Sequence, residues 1–207
     1  MLKDLVLQNR SYRSFDENYR FTQQELVDLV DYARFTASSI NRQPLKYVLI
    51  WDRETVYQML PYTFWAKALP NLKLPREGSR PTAFIVICHD LRISSSPHAF
   101  LRDIGIVAQT ILLAATEKGL GGCMLGGFQE QKIAEFLKLP DYFKPVFVLA
   151  LGKPSEQIIL TEAEISGDTN YYRDLNDIHY VPKRPLDDLI IKCGTQHFDV
   201  SNNSGSE

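Results

Sequence analysis

Long hydrophobic runs are missing from this chain of 207 residues. Its longest apolar stretches, residues 82–88 and 145–151, are far shorter than the roughly 20 apolar residues that a transmembrane helix needs. Residues 1–5 do not combine a positive region with a following apolar one, and no small-residue cleavage site comes after them. We therefore expect no membrane span, no secretory signal and a cytoplasmic protein.

Cysteine is scarce, and neither sign of charge dominates. Cys88, Cys123 and Cys193 are odd in number, widely separated and in no C-x-x-C arrangement, which fits a reducing compartment and excludes a disulfide framework or a zinc site. We expect Cys88 and Cys123 to fill space in the core. With 23 Lys and Arg against 25 Asp and Glu, the net charge is -2, so we expect no nucleic-acid partner.

Familiar catalytic motifs are absent as well. The segment Gly119–Met124 has methionine where G-x-G-x-x-G requires its last glycine, and it lacks the Lys-Ser/Thr pair of a P-loop. The four histidines form no H-E-x-x-H pair, and no serine stands in G-x-S-x-G. The sequence therefore predicts no metal site, and we name no catalytic residue from it.

The pattern of apolar residues predicts helices mixed with strands. A capping box from Thr22 to Glu25 begins a helix over residues 22–35, and the β-branched runs at 47–51 and 82–88 are typical of buried strands. The other predicted elements are helices over 99–118, 130–138 and 185–192 and strands over 120–125 and 145–151. Residues 61–80 show no clear period, and we expect the polar segment 155–180 to be irregular.

Apolar side chains surround the predicted helix over 99–118 almost completely, since Ile106 and Leu113 lie opposite its main apolar stripe. We expect Gly119 to end it in a left-handed cap and the helix to be buried nearly all round. One small sheet cannot cover so much apolar surface, so we expect a homodimer. Without regular β-α alternation, the fold class is α+β. We predict one domain over residues 1–193 and a flexible tail over 194–207.

The first candidate binding residues lie near the amino terminus. Arg10 and Arg13 place two guanidinium groups three residues apart with the Ser11 hydroxyl between them. This arrangement suits a bidentate grip on a phosphate or on an anionic ring. Solvated surface arginines are the alternative.

A second candidate follows the first predicted helix. Ser38, Ser39, Asn41 and Gln43 offer hydroxyl and carboxamide groups of both polarities, as the edge of a heterocycle requires. A plain helix-to-strand loop explains the same residues equally well.

Two further candidates lie in the second half of the chain. Leu125, Gly126 and Gly127 leave a backbone that a flat ligand could approach closely, although an ordinary turn would look the same. Lys183 and Arg184 bring two cations to the start of a short helix, where a phosphate site and a solvated basic turn are both open.

Taken in this order, the segments resemble the nitroreductase family of FMN-dependent oxidoreductases. The resemblance covers about residues 5–191 and rests on residues 10–13, 37–44, 103–121 and 181–186. It implies an α+β sandwich with a central, mostly antiparallel sheet flanked by helices, in an interlocked homodimer. It also implies FMN at two interface sites and NADH or NADPH as the electron donor.

The resemblance also implies a role for each candidate residue. Arg10 and Arg184 would hold the FMN phosphate, with Lys183 nearby and a hydrogen bond from Ser11. Arg13 resembles the cation beside the pyrimidine edge of the flavin, where it stabilises the anionic reduced ring. The polar loop at 38–43 would contact the cofactor of the partner subunit. The backbone at 125–127 would face the ring.

The implied reaction is hydride transfer from NAD(P)H to a nitroaromatic, a quinone or a similar small acceptor by a ping-pong mechanism. Because the flavin carries the hydride, no side-chain acid or nucleophile is required. The same fold and cofactor would also suit enone reduction or dehalogenation, and a non-catalytic flavin-binding module is the alternative outside enzymes. The aromatic residues Tyr62, Phe64 and Trp65 lie where we expect the acceptor pocket, or else dimer packing.

Overall fold

The computed structural model describes residues 1–66, 69, 71–165 and 167–191. The chain divides into two compact units, Met1–Gln157 and the part from Ile158 onward. The predicted tail at 194–207 and Cys193 lie outside the described residues, and the single domain over 1–193 stays a prediction.

A four-stranded antiparallel sheet is the centre of the first unit. Its strands are β1 (Leu45–Ile50), β2 (Ala83–Asp90), β3 (Gly121–Leu125) and β4 (Phe143–Gly152). They lie in the order β1-β2-β4-β3, so β1 and β3 form opposite edges. All four strands were predicted, and the antiparallel pairing confirms the expected sheet.

Helices cover this sheet on both faces. They are α1 (Leu2–Gln8), α2 (Gln23–Arg34), α3 (Arg53–Met59), α4 (Leu101–Glu117) and α5 (Glu130–Phe136). The predicted capping box begins α2: the Thr22 hydroxyl accepts from the Glu25 amide, and the Glu25 carboxylate accepts from the Thr22 amide at 2.7 Å. The helices α1 and α3 were not predicted.

Two hydrophobic clusters, one on each face of the sheet, form the core. Side chains from α2 and α4 pack with Ile85 and Leu149, while Met59 and Ile133 pack with Phe84 and its neighbours on the other face. All eight residues of β2 are buried, which explains the continuous apolar run at 83–88. The expected α+β sandwich is confirmed.

One side of α4 is left uncovered by its own chain. Its side toward the sheet is completely buried at Ala108 and Ile111, but Ile106 is 39% exposed and Leu101 is 53% exposed. The segment Pro97–Glu117 is long and apolar enough to cross a bilayer, yet more than half of it is buried inside the protein. This is the packing of a core helix whose outer side exposes two large apolar side chains, Leu101 and Ile106, among polar ones.

The second unit carries a small three-stranded sheet. Its strands are β5 (Ile158–Glu162), β6 (Tyr172–Arg173) and β7 (His179–Lys183), in the order β5-β7-β6, with β5 parallel to β7. The helix α6 (Leu186–Leu189) follows and is shorter than the predicted 185–192. The prediction of irregular structure over 155–180 is wrong where these strands form, because strands of two to five residues are too short to show a period and form by pairing with distant residues.

Candidate functional site

The segment that holds the first candidate arginines lies along β3. The Tyr12 amide donates to the Gly122 carbonyl oxygen at 3.0 Å, and Ser11 pairs with Gly122 in a parallel bridge. The glycines allow this close approach. A Cβ atom on Gly122 would lie 2.3 Å from the Ala150 carbonyl oxygen, and one on Gly121 would lie 2.6 Å from the Tyr12 ring.

The Arg10 guanidinium is partly withdrawn from solvent. Its Nη2 donates to the Val6 carbonyl oxygen at 2.7 Å, but its buried Nε has no hydrogen-bond partner among the described residues. Burial lowers the pKa of Arg10, and the nearby Tyr12 opposes this shift. A buried N–H that lacks an acceptor is costly, so this position favours an anionic ligand.

Arg13 is buried, and its backbone is fixed by a carboxylate from the end of the first unit. The amides of Arg13 and Ser14 both donate to Glu156 Oε1, the latter at 3.0 Å. The Arg13 Nη1 turns back and donates to the Ser11 carbonyl oxygen at 3.0 Å. With 8% exposure, Arg13 places a positive charge inside the protein at the edge of the sheet.

The candidate glycines Gly126 and Gly127 directly follow the carboxyl-terminal end of β3. Leu125 is buried at the end of the strand, and a Cβ atom on Gly126 would meet only Phe147, at 3.5 Å, among the described residues. Gly126 stands four residues beyond Gly122, about 14 Å along an extended chain. The arginine segment and the glycines therefore occupy the two ends of one edge strand.

The segment without a predicted structure is attached to these glycines. The Phe64 amide donates to the Gly127 carbonyl oxygen at 2.9 Å, and the Gln129 amide donates to the Tyr62 carbonyl oxygen at 2.8 Å. Trp65 Nε1 donates to the Thr63 hydroxyl at 2.8 Å. A cleft of about 790 Å³ opens beside this segment.

The polar loop at 38–43 lies at the opposite edge, since it leads into β1. Three spacings of about 4.8 Å separate the edge strands of a four-stranded sheet. The structure therefore does not bring this loop to the arginines and glycines of its own chain. It forms a separate cleft of about 330 Å³ with α2, β1 and α4.

Asp103 at the start of α4 holds the loop. Its carboxylate accepts from the hydroxyls of Ser38 and Ser39, each at 2.6 Å, and from the Ser39 amide at 2.9 Å. The Ser38 hydroxyl in turn accepts from the Gln43 amide at 3.0 Å. Each serine hydroxyl thus uses its one hydrogen in a bond to Asp103, so toward a ligand it can act only as an acceptor.

Three residues of the loop are held in the left-handed region, which residues other than glycine seldom adopt. Ile40 has φ 47°, Asn41 φ 54° and Gln43 φ 53°. The Gln43 Nε2 donates to Asn41 Oδ1 at 2.9 Å. Burial raises the pKa of Asp103, but its hydrogen bonds outweigh this effect and hold the pKa below its usual value, so the carboxylate that fixes this strained loop is ionised.

The last two candidates belong to the second unit. Lys183 ends β7 and accepts from the Ala163 amide at its carbonyl oxygen, while Arg184 Nη1 donates to Asp188 Oδ2 at 3.0 Å. Their assignment to the FMN phosphate stays a prediction.

Two carboxylates that hold the site were not predicted to do so. Glu156 meets the Arg13 amide across 143 residues of sequence, so no local pattern could reveal it. Asp103 begins one of the motifs used for the resemblance, but no spacing pairs it with serines 64 and 65 residues earlier.

Comparison with known proteins finds relatives of this chain. A model of the nitroreductase family matches residues 6–153. The oxygen-insensitive NADPH nitroreductase of Salmonella typhimurium is 30% identical over 186 residues, covering 84% of this chain and 75% of that protein. The FMN reductase (NADPH) of Bacillus subtilis is 27% identical over 168 residues, covering 73% and 65%.

The fold itself matches solved structures. The nitroreductase family protein from Streptococcus pneumoniae TIGR4 superimposes with a TM-score of 0.65 at 17% identity, covering 93% of this chain and 100% of that one. At this identity the likeness concerns the fold alone.

Proposed function

Since this chain belongs to the nitroreductase family, we propose that it passes hydride from NADH or NADPH to a nitroaromatic, a quinone or a similar small acceptor by a ping-pong mechanism. Its coarser class follows from the family and the relatives: it is an NAD(P)H-dependent oxidoreductase with FMN as its cofactor. The acceptor and the order of the two half-reactions belong to the proposal.

The edge strand β3 carries the argument, because its two ends suit the two ends of FMN. At one end the buried Arg10 Nε lacks an acceptor, which a phosphate oxygen would supply through a charge-assisted bond. At the other end Gly126 leaves open backbone that a flat ring can approach. The residues present therefore fit the cofactor.

The roles of the chain's own residues follow from this fit. Arg10 holds the phosphate, with Ser11, Lys183 and Arg184 as its proposed companions. Arg13, fixed at its amide by Glu156, supplies positive charge to the pyrimidine edge. FMN, when bound, supplies the hydride chemistry, so the protein needs to bind, orient and exclude water and requires no acid or nucleophile of its own.

A second copy of the chain completes the proposed site. Ser38, Ser39, Asn41 and Gln43 lie at the β1 edge, so they reach a cofactor on β3 only from another subunit. The exposed Leu101 and Ile106 on α4 support such a homodimer, because a partner would cover these large apolar side chains. A cytoplasmic location is part of the same proposal.

The decisive experiment starts from the purified protein. We expect it to be a yellow dimer that releases FMN on heating and whose flavin is bleached by NADH or NADPH in stopped flow. The reduced protein should then be reoxidised by nitroaromatics or quinones. A flavin that neither nucleotide bleaches would favour a binding module, and reoxidation by enones or halogenated aromatics alone would replace the proposed acceptor.

The phosphate assignment has its own test. We expect the double substitution Arg10→Ala and Arg184→Ala to abolish retention of FMN through gel filtration, because it removes charge-assisted bonds to the phosphate. Lys132→Ala, on the surface of α5, is the matched control and should retain the flavin. Unchanged FMN occupancy in the double variant would remove the assignment.

A further inference from the structure

The 790 Å³ cleft beside the glycine turn has a lining that the proposed FMN site does not use. Its walls come from the end of α3, from residues 61–65 and from residues 73–80. Two aromatic side chains, Tyr57 and Trp65, and three cations, Lys73, Arg76 and Arg80, face it. Its volume lies in the range of small-molecule sites, about 300–1,000 Å³.

Positive charge predominates around this cleft. Glu77 is the one carboxylate among its described lining residues; its side chain is 90% exposed and lies 3.7 Å from Arg80 Nη2, so solvent weakens its effect. Glu17 lies behind the wall, where its carboxylate accepts from the Arg80 amide at 2.8 Å and from the Tyr57 hydroxyl at 2.6 Å. Arg53 lies 3.9 Å from Glu17 and compensates for its charge.

Part of the cationic lining is held in place. The Arg80 guanidinium lies over the Tyr57 ring, 4.7 Å from its centroid, and the Arg80 amide is bonded to Glu17. Lys73 and Arg76 are exposed and line the same cleft. The cleft thus joins one positioned cation to two exposed ones.

The cleft lies next to the place proposed for the flavin ring. Phe64 is bonded to Gly127, and the next residue, Trp65, forms part of the cleft wall with its indole N–H fixed on Thr63. A ligand whose reactive ring lies at the glycine turn can therefore extend into the cleft. Such a ligand would carry its negative charges at a distance from its reactive ring.

We propose that this cleft binds the phosphate groups of the nicotinamide dinucleotide, with Lys73, Arg76 and Arg80 as their partners and the aromatic side chains beside the adenosine. A dinucleotide carries several phosphate oxygens along its length. Three separate cations match such a ligand better than they match a ligand with a single carboxylate. The proposal rests on the proposed function, because it supplies the place from which the electron donor reaches the flavin.

The test uses the FMN-loaded protein and the double substitution Lys73→Gln and Arg76→Gln. Both side chains are exposed, so we expect unchanged folding and FMN content. We expect the KM for NADH or NADPH to rise roughly tenfold with kcat little changed, because the lost contacts bind the nucleotide without taking part in the chemistry. The competitive inhibition constant of ADP, used as a probe, should rise in parallel.

Two further variants sharpen the result. Glu77→Gln removes the negative charge from the same cleft and should lower the KM for the nucleotide, whereas Lys132→Gln on α5 should change nothing. An unchanged KM for NAD(P)H in the double variant would overturn the proposal. A rise in the KM for 4-nitrobenzoate alone would overturn it too, since the cleft would then serve an acidic acceptor. Competition by inorganic phosphate but not by ADP would have the same consequence.

Calorimetric titration with ADP separates this proposal from the proposed function. If the wild-type protein does not oxidise NAD(P)H, the proposed function fails, but ADP binding that the double variant loses would still support the cleft assignment. If the wild-type protein is active and binds no ADP, the cleft assignment fails alone.

Discussion

Asp103 keeps its charge almost wholly inside the protein, with 2% of the residue exposed, and so depends on its hydrogen bonds. Two hydroxyls and one amide satisfy it, and they come from the two residues that precede the strained part of the 38–43 loop. Without this carboxylate, nothing comparable would offset the strain at Ile40, Asn41 and Gln43.

The first prediction replaces this carboxylate by an amide. Asp103→Asn keeps the shape but loses the charge and turns an acceptor into a donor facing a hydroxyl, so we expect the free energy of unfolding to fall by about 2 kcal/mol. Urea denaturation measures it. Asp31→Asn, which removes an exposed ion pair with Arg34, is the control and should change stability by less than about 0.5 kcal/mol. Equal losses would show that Asp103 does not hold the loop.

The pH dependence of the stability difference between the wild type and Asp103→Asn tests whether the ionised carboxylate causes it. Because the pKa of Asp103 is lower in the folded protein than its unfolded value of about 3.9, the stabilisation is complete well above that pH and is lost as the pH falls through the folded value. The gap between the wild type and Asp103→Asn should therefore narrow below about pH 4. A gap that is constant down to pH 3 would exclude the ionised carboxylate as its source.

Gly122 and Gly126 lie on the same sheet edge, and we expect the first to be required for folding and the second for binding FMN. Gly122→Ala would drive a methyl group into the backbone of β4, so we expect a loss of about 3 kcal/mol or more in stability. Gly126→Ala meets only ordinary contact, so it should keep its melting temperature but bind FMN more weakly. Thermal unfolding and flavin titration on both variants measure this, and normal FMN affinity in Gly126→Ala would count against the ring position.

At the level of the strands, burial makes the core thiols unreactive. It raises the pKa of Cys88 in β2 to about 12, and it raises that of Cys123 in β3 to about 11, with Glu156 adding to this and Arg13 opposing it. We expect no alkylation of either thiol by iodoacetamide in the native protein at pH 8, because the thiolate is the nucleophile. Peptide mapping by mass spectrometry checks this, and the urea-unfolded protein should react at both. Rapid native labelling of Cys123 would show that the edge strand opens.

Elements with a strong local signal were predictable, and elements made by distant partners were not. The capping box of α2 and the continuous apolar run in β2 are local sequence patterns, so both elements were predicted. The strands β5 and β6 exist only through pairing with β7, and the Pro61–Trp65 segment takes its place from Gly127 and Gln129. In the same way, the candidate loop was recognised from its residue types, but the carboxylate that shapes it was not.

For the whole molecule, we expect a charged substitution on the exposed side of α4 to dissociate the proposed dimer. Ile106→Glu places a charge on the exposed side of α4, and we expect the protein to become a monomer that has lost most of its FMN. Light scattering and the visible spectrum on one sample measure both. Val27→Glu on α2, where the side chain is 40% exposed, is matched in exposure and should remain a dimer with flavin. A yellow monomer would contradict the shared site.

The placement of the arginine segment and the serine loop on opposite edges of one sheet has a genetic consequence. If each cofactor contacts the β3 edge of one subunit and the 38–43 loop of the other, Arg10→Ala damages the first half of the site and Asp103→Asn damages the second half. Their hybrid then contains one intact site and one doubly defective site. Random pairing makes half of the dimers hybrids, so co-expression of the two alleles should give about a quarter of the wild-type number of sites with both edges intact, whereas neither allele alone gives any such site.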